Sequence, residues 1–107
     1  MLIKGNTIYF NLSGKIYKKE GPSIRLENGD QEWWANGKLH REDGPAIINF
    51  NGDKFWFINN FLHREDGPAA EYANGYVSWW LNGKCHGRNN DFTNESWIKF
   101  VKTLVFY

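Results

Sequence analysis

The chain has 107 residues, with 13 Lys and Arg against 12 Asp and Glu, one cysteine, and 18% aromatic residues. This length fits one domain, and the near-neutral balance argues against a nucleic-acid partner, because affinity for polyanions depends on uncompensated positive charge. The single cysteine, Cys85, cannot form an internal disulfide, and no apolar run has the length of a signal peptide or a bilayer span. We therefore expect a cytoplasmic protein without a membrane span.

The chain is built from an internal repeat. Residues 1–13 resemble a partial unit, and a fourth copy begins at Gly83 and then departs from the pattern. Three complete copies of 23 residues each occupy 14–36, 37–59 and 60–82. They read GKIYKKEGPSIRLENGDQEWWAN, GKLHREDGPAIINFNGDKFWFIN and NFLHREDGPAAEYANGYVSWWLN. Such a repeat predicts stacked units that each contact mainly their neighbours.

Each unit carries two turn signals. In the first complete copy these are Asn28-Gly29 and Asn36-Gly37. Asn-Gly between apolar runs favours a two-residue type I′ hairpin turn, because both central residues need a positive φ. The sequence therefore predicts a strand at 31–35 that pairs with 23–27 before it and with 38–41 after it.

Two-residue loops also fix a register. They place Ile24 opposite Trp33, Arg25 opposite Glu32, and Trp34 opposite Leu39. Alternation along the strands then predicts two faces. One face carries Ile24, Ile47, Ala70, Trp33, Trp56 and Trp79. The other carries Trp34, Phe57 and Trp80, beside Arg25, Ile48, Glu71, Glu32, Phe55 and Ser78. We interpret the invariant Trp33 row as structural and the variable Trp34 face as a partner surface; the reverse assignment stays open, because both faces carry apolar residues.

The order of Trp, Asn-Gly and His residues resembles the MORN repeat, in the segments 33–40, 56–63 and 79–86. The His-Arg-Glu-Asp-Gly-Pro-Ala version at 40–46 and 63–69 resembles a divergent subgroup found in bacteriophage and giant-virus proteins. The resemblance covers 14–89 and implies an elongated antiparallel sheet of stacked hairpins with a scaffolding or partner-binding role, sometimes at membranes. In two copies His-Arg replaces the family's usual His-Gly, so we expect the loop at 41–45 to differ from the family loop.

From residue 90 the pattern takes a helical period. One face collects Trp97, Ile98, Val101, Leu104 and Val105, widened by Phe100 and Phe106. Thr93 is the predicted N-cap, and Glu95 falls in the first turn, where the helix dipole favours a carboxylate. We predict that 90–107 form a helical cap over the last edge of the β stack. A dimer contact and a partner-docking helix are the alternatives.

No pattern in the sequence indicates catalysis, a metal or a cofactor. His40, His63 and His86 recur once per unit, and units about 10 Å apart are too far from each other for these residues to share one ion. We expect each histidine to pack beside the Trp of its own hairpin. Cys85 and His86 are neighbours in a predicted strand, so their side chains point to opposite faces and do not form a thiol–imidazole dyad.

Two sets of residues are candidates for partner binding. The aromatic set comprises Trp34, Phe57, Trp80, Phe55, Tyr72 and Tyr76, because exposed aromatic patches mark interaction sites; a role in the core is the alternative. Arg41 and Arg64 lie in tight loops in which Asp before Gly-Pro suits a turn. They are either structural or a spaced pair that holds a partner's carboxylates or phosphates.

The sequence thus predicts a mainly β, non-enzymatic protein-binding module, with a virus-encoded inhibitor or adaptor of a host protein as the preferred function. One alternative is a protein that sequesters a small ligand or nucleotide. The other is a structural protein that forms homo-oligomers through its sheet edge or its C-terminal helix.

Overall fold

The computed structural model describes residues 2–3, 6–8 and 23–104. In these ranges the protein is mainly β, with a large antiparallel sheet and one α-helix near the C-terminal end. Its dimensions are 44 × 31 × 19 Å. Most of the predicted partial unit at 1–13, and Val105 and Phe106 of the predicted helical face, lie outside the described residues.

The strands are short and follow each other in chain order. They are β1 (Leu2–Ile3), β2 (Asn6–Ile8), β3 (Ile24–Arg25), β4 (Gln31–Glu32), β5 (Trp34–Ala35), β6 (Lys38–Leu39), β7 (Ile47–Ile48), β8 (Lys54–Phe55), β9 (Phe57–Ile58), β10 (Phe61–Leu62), β11 (Ala70–Glu71), β12 (Val77–Leu81) and β13 (Lys84–Arg88). The large sheet has the order β1-β2-β3-β4-β7-β8-β11-β12-β13, and β5–β6 and β9–β10 form separate hairpins.

The positions of the strands follow the period of the sequence. β3, β7 and β11 begin at residues 24, 47 and 70, and β4, β8 and β12 begin at residues 31, 54 and 77. Corresponding strands therefore begin 23 residues apart. The described part of each copy gives two neighbouring strands to the large sheet. The chain then turns through a hairpin that leads into the next copy; β5–β6 and β9–β10 are separate from the large sheet, whereas β12–β13 is part of it.

The first turn of each unit is not the predicted two-residue loop. The N–H of Gly29 donates to the carbonyl of Leu26 at 3.0 Å, and the N–H of Leu26 donates to the carbonyl of Asp30 at 2.8 Å. This is a three-residue loop in which Gly29, at φ 101°, takes the left-handed conformation alone. The side-chain oxygen of Asn28 accepts from the N–H of Asp30 at 2.9 Å, a local bond that holds the longer loop.

The extra loop residue shifts the register by one position. Ile24 lies opposite Glu32, and Arg25 lies opposite Gln31, so the predicted pairs Ile24–Trp33 and Arg25–Glu32 are wrong. The same shift places Ile47 opposite Phe55, and Ala70 opposite Ser78. The row of Ile24, Ile47 and Ala70 therefore shares a face with Glu32, Phe55 and Ser78 rather than with the Trp33 row.

The second turn of each unit is the predicted two-residue hairpin. Asn36 and Gly37 have φ values of 53° and 77°, and Asn82 and Gly83 have values of 48° and 78°. Both central residues are left-handed, as a type I′ turn requires. Trp34 lies opposite Leu39 as predicted. The chain therefore reverses at these turns.

The helix α1 spans Asn94–Thr103 and is preceded by a single 3₁₀ turn at Asn89–Asp91. Thr93 is its N-cap, as predicted: the Thr93 hydroxyl accepts from the N–H of Ser96, and the Ser96 hydroxyl accepts from the N–H of Thr93. Among the described residues, no helix has the length and apolarity that a bilayer crossing requires.

The apolar core lies between β12 and α1. Trp79, Leu81, Trp97 and Val101 form its buried cluster. The rings of Trp79 and Trp97 lie 5.5 Å apart, and the indole N–H of Trp97 donates to the carbonyl of Arg64 at 2.8 Å. Burial of such large rings is the strongest stabilising contribution available to a small domain. The helix thus packs against the face of the last described unit that carries Trp79.

Candidate functional site

By alternation along the strands, the predicted aromatic set points to one side of them. We call this set the aromatic face (Trp34, Phe57, Trp80, Phe55, Tyr72 and Tyr76). The indole N–H of Trp34 donates to Glu32 at 2.9 Å, and that of Trp80 donates to Ser78 at 2.7 Å. Both bonds join residues two positions apart, which is the spacing of neighbours on the same side of a strand. The core around Trp79 therefore lies on the opposite side of β12.

Three members of the aromatic face touch each other. The ring of Phe55 meets the ring of Tyr72 edge-on, at a centroid distance of 5.4 Å and an interplanar angle of 85°. Tyr72 and Tyr76 lie 5.5 Å apart, at opposite ends of the 73–75 turn. Tyr72 is 38% exposed and Tyr76 is 36% exposed. We call these three residues the tyrosine cluster.

The other three members of the aromatic face do not form a ladder. Trp34, Phe57 and Trp80 are each half-buried, and within 23–104 we find no ring contact that joins one of them to another. The indoles of Trp34 and Trp80 have acceptors on their own strands. The structure therefore brings Phe55, Tyr72 and Tyr76 together, and it leaves Trp34, Phe57 and Trp80 as separate rings.

Arg41 is built into its own loop on the opposite face. Its guanidinium lies 3.9 Å above the ring of Trp33, its Nε donates to Asp43 at 3.0 Å, and its Nη1 donates to the carbonyl of Pro45 at 3.1 Å. A Cβ atom at Gly44 would lie 2.8 Å from Arg41 Cζ. The guanidinium is therefore held between an aromatic ring and a glycine backbone, where stacking and charge-assisted hydrogen bonds stabilise the loop.

Arg64 repeats this arrangement in the next unit. It lies 3.9 Å above Trp56 and donates to Asp66 at 2.9 Å and to the carbonyl of Pro68 at 3.1 Å. It also donates to Glu71 at 2.8 Å, a contact on the large sheet. These bonds favour the structural interpretation of both arginines over that of a pair held ready for a partner's anions.

A groove of about 750 Å³ separates the two arginine loops. Its walls are the loop segments 41–45 and 63–66, and Trp56 and Ile58 complete the lining. The carboxylates of these loops are exposed, whereas both guanidinium groups are mostly covered by their own contacts. In the described part of the chain, no three His, Cys, Asp or Glu side chains lie close enough together to hold a metal ion.

Two histidines connect successive hairpins, a role that their recurrence in the sequence did not predict. The Nδ1 atom of His40 accepts from the N–H of Asn59 at 3.1 Å, and the Nδ1 atom of His63 accepts from the N–H of Asn82 at 3.0 Å. Burial lowers the pKa of His63 below its ordinary value, although the nearby Glu65 carboxylate acts in the opposite direction. Each imidazole thus links its own loop to the turn of the next hairpin along the chain.

The third histidine has different surroundings. The ring of His86 lies 6.0 Å from that of Trp97 and 5.5 Å from that of Phe100. Burial, with a smaller effect of Lys84, lowers the pKa of His86. The Sγ atom of Cys85 contacts the carbonyl of Gly87 instead of an imidazole. His86 therefore belongs to the packing of α1.

Carboxylates make a second set of links between units. Asp30 Oδ1 accepts from the N–H of Phe50 at 2.7 Å, and Asp53 Oδ1 accepts from the N–H of Ala73 at 2.8 Å. The sequence held a signal for these links, because Asp follows Asn-Gly in the first two complete copies. The sequence did not predict that two phenylalanine rings are exposed: Phe50 is 69% exposed and Phe61 is 55% exposed.

Comparisons of the chain with protein-family models, curated proteins and solved structures gave no match. The features that can support a function are therefore those of the chain itself. Among the described residues these are the aromatic face, the two arginine loops with their groove, and the links between units.

Proposed function

We propose that this chain is a non-enzymatic protein-binding module of the MORN type. In this proposal, hairpin units of 23 residues stack into an elongated sheet, and α1 caps the last unit. The 23-residue spacing of corresponding strands and the left-handed Asn36-Gly37 and Asn82-Gly83 turns support it. A virus-encoded inhibitor or adaptor of a host protein in the cytoplasm is the form of this function that the sequence resemblance favours.

The observation that carries the binding proposal is the exposed tyrosine cluster. Tyr72 and Tyr76 keep more than a third of their surface in solvent, whereas Trp79 and Trp97 are almost fully buried. Tyrosine is enriched at protein interfaces because its ring buries a large area while its hydroxyl keeps a polar contact. The edge-on packing against Phe55 also orients the cluster before a partner arrives, which lowers the entropic cost of binding.

A role of the tyrosine cluster in the core does not fit its position. The buried cluster around Trp79 and Trp97 lies on the other side of β12, and the helix packs there. Tyr72 and Tyr76 flank a turn at the margin of the large sheet. Because these rings lie outside the buried cluster, a partner can bind them without disturbing the packing of the core.

A binding experiment tests the proposal. The tagged chain is incubated with lysate of candidate host cells, and retained proteins are identified and then titrated as purified partners. Tyr72→Ser with Tyr76→Ser is expected to weaken the complex about tenfold or more, because aromatic anchors carry most interface energy. This double variant is expected to keep the wild-type melting temperature within a few degrees.

Phe61→Ser is the matched control. Phe61 is also an exposed ring, but it lies opposite Ile58 on the β9–β10 hairpin and not in the tyrosine cluster. We expect this variant to bind as the wild type does. Equal binding by wild type and the Tyr72/Tyr76 double variant would exclude the tyrosine cluster as the interface. The absence of any stoichiometric partner would reject the proposed function itself.

A further inference from the structure

The same hydrogen bond recurs twice between successive hairpins, from β5–β6 to the turn of β9–β10 and from β9–β10 to the turn of β12–β13. In each case an imidazole Nδ1 accepts the N–H of the first residue of the next hairpin turn, at 3.1 Å for His40 and Asn59 and at 3.0 Å for His63 and Asn82. Nδ1 must carry a lone pair to make this bond, so the proton of the neutral ring resides on Nε2. Each junction therefore depends on a neutral histidine.

Protonation removes the acceptor. In the imidazolium both ring nitrogens are donors, so the Nδ1 proton of His40 would face the N–H of Asn59 and the bond would be lost. Two carboxylates lie on the Nε2 side of the imidazoles: Glu42 is 3.5 Å from His40, and Glu65 is 3.8 Å from His63. The turns on the Nδ1 side present backbone amides of asparagines.

For His63 the competing influences have a clear sign. Burial disfavours the charged ring, the Glu65 carboxylate favours it, and burial is the larger effect, so the pKa lies below that of an unfolded chain. Stability from this junction is therefore present above the ordinary pKa of histidine and decreases as the pH falls below about 6.5.

We propose that His40 and His63 are acid-sensitive links, each of which releases the turn of the next hairpin when its imidazole is protonated. Only the histidine links are released at this pH, and the aspartate links remain. The Asp30 and Asp53 links join the first turns of successive copies, and carboxylates as a class take up protons only at lower pH than imidazoles. Both histidines adjoin the loops that border the groove, so acid loosens the groove while the large sheet stays joined.

The test follows the two amides directly. NMR spectra of the isotope-labelled wild-type chain are recorded from about pH 8 to about pH 5, a range that spans histidine titration. We expect the amide signals of Asn59 and Asn82 to shift with the midpoints of the His40 and His63 rings. Their protection from hydrogen exchange, corrected for intrinsic rates, is expected to fall by up to about tenfold per pH unit as the pH approaches each midpoint from above, and to level off below it.

Replacing one histidine at a time by asparagine tests each link on its own. The side-chain oxygen of asparagine accepts a hydrogen bond but does not titrate. His40→Asn is expected to abolish the pH response of the Asn59 amide alone, and His63→Asn that of the Asn82 amide alone. His86→Asn is the control: it alters a ring packed on Trp97 and leaves both responses unchanged.

Two results would overturn the proposal. One is a wild-type titration in which the imidazoles become protonated while both amide signals and their protection stay constant. The other is an amide response that persists in the asparagine variant of its own histidine. The wild-type titration decides the question even if a variant does not fold.

Discussion

The repeat places a tryptophan at the same position in each unit, and the molecule covers that ring in two different ways. Over Trp56 lies the guanidinium of Arg64, at 3.9 Å. Over Trp79 lies α1, with the ring of Trp97 at 5.5 Å and that of Phe92, from the preceding loop, at 5.6 Å. Trp56 remains half-buried, whereas Trp79 is 3% exposed.

One residue separates the two arrangements. Gly87 stands where the earlier copies have Arg41 and Arg64, directly after the histidine. A Cβ atom at Gly87 would lie 2.9 Å from the ring of Phe92. The missing side chain therefore leaves the room in which Phe92 reaches Trp79. In both units another side chain packs over the tryptophan ring. The inner unit uses a guanidinium group, which stays partly exposed, and the last described unit uses aromatic rings, which bury the tryptophan.

The largest effect is expected where the cover is apolar. Trp97→Ala removes a fully buried ring and the bond from its indole to the Arg64 carbonyl. We expect a loss of about 3–5 kcal/mol in the free energy of unfolding, measured by chemical denaturation. Lys99→Ala on the exposed side of α1, whose pair with Glu95 spans 3.5 Å, is expected to change it by less than about 0.5 kcal/mol. Similar costs for both variants would contradict the assignment of the core.

A smaller effect is expected at the residue that separates the two arrangements. Gly87→Ala forces a Cβ atom against Phe92 and within 3.1 Å of Asp91 Cβ, so we expect a loss of about 1–3 kcal/mol from overpacking. Gly44→Ala is the matched variant, because its Cβ atom would meet Arg41 Cζ at 2.8 Å, and a partly exposed arginine can move toward solvent at the cost of its own loop contacts. Thermal denaturation should rank Gly87→Ala as the more harmful change. The reverse order would refute our account of how Phe92 is accommodated.

The arginine covers are expected to matter less. Arg64→Ala removes the stack on Trp56 and the bonds to Asp66 and Glu71. We expect a loss of about 1–2 kcal/mol in urea denaturation, because a partly exposed cation–π contact contributes about 0.5–1 kcal/mol and the ion pairs add to it.

Arg41→Ala provides the internal comparison for that measurement. It loses the stack on Trp33 and the bond to Asp43, but it has no counterpart of the Arg64–Glu71 contact. Its cost should be the smaller of the two. Lysine at either position keeps the charge but not the planar fork, and it should recover little of the loss. Full recovery by lysine would show that charge alone stabilises the loops.

The smallest effect concerns acid. Because burial lowers the pKa of both His63 and His86, the unfolded chain binds more protons than the folded one just below the ordinary histidine range. The midpoint of urea denaturation should therefore decrease gradually as the pH falls from about 7 to about 5. A midpoint that rises over this interval would contradict the neutral state of these imidazoles in the fold.

Local rules predicted those elements that depend on neighbouring residues. The Asn36-Gly37 turn and the Thr93 N-cap lie where the sequence indicates them, because backbone φ preference and a hydroxyl three residues from an amide are short-range properties. The same reasoning was wrong at Asn28-Gly29. There the dipeptide also fits a three-residue loop, and the side-chain bond between Asn28 and Asp30 selects it.

Features that depend on distant residues were not accessible in this way. The position of Arg41 over Trp33 requires the chain to pass through a whole hairpin before the two side chains meet. The covering of Trp79 by α1 depends on the small size of Gly87, which the sequence pattern recorded only as a departure from the repeat. The aromatic face was predicted as a set, but its division into a touching cluster and separate rings depends on the register that the longer loop creates.

The carboxylate links also bear on how such a chain lengthens. Asp30 and Asp53 each accept an amide of the unit that follows them, but the third copy has Tyr76 at this position. A duplicated interior unit would carry an aspartate that can accept an amide of the next unit. A unit added after the third copy would instead follow Tyr76, which has no carboxylate, and α1. Duplication of an interior unit is thus compatible with these links, and the end of the repeat series is encoded in the side chains of its last copy.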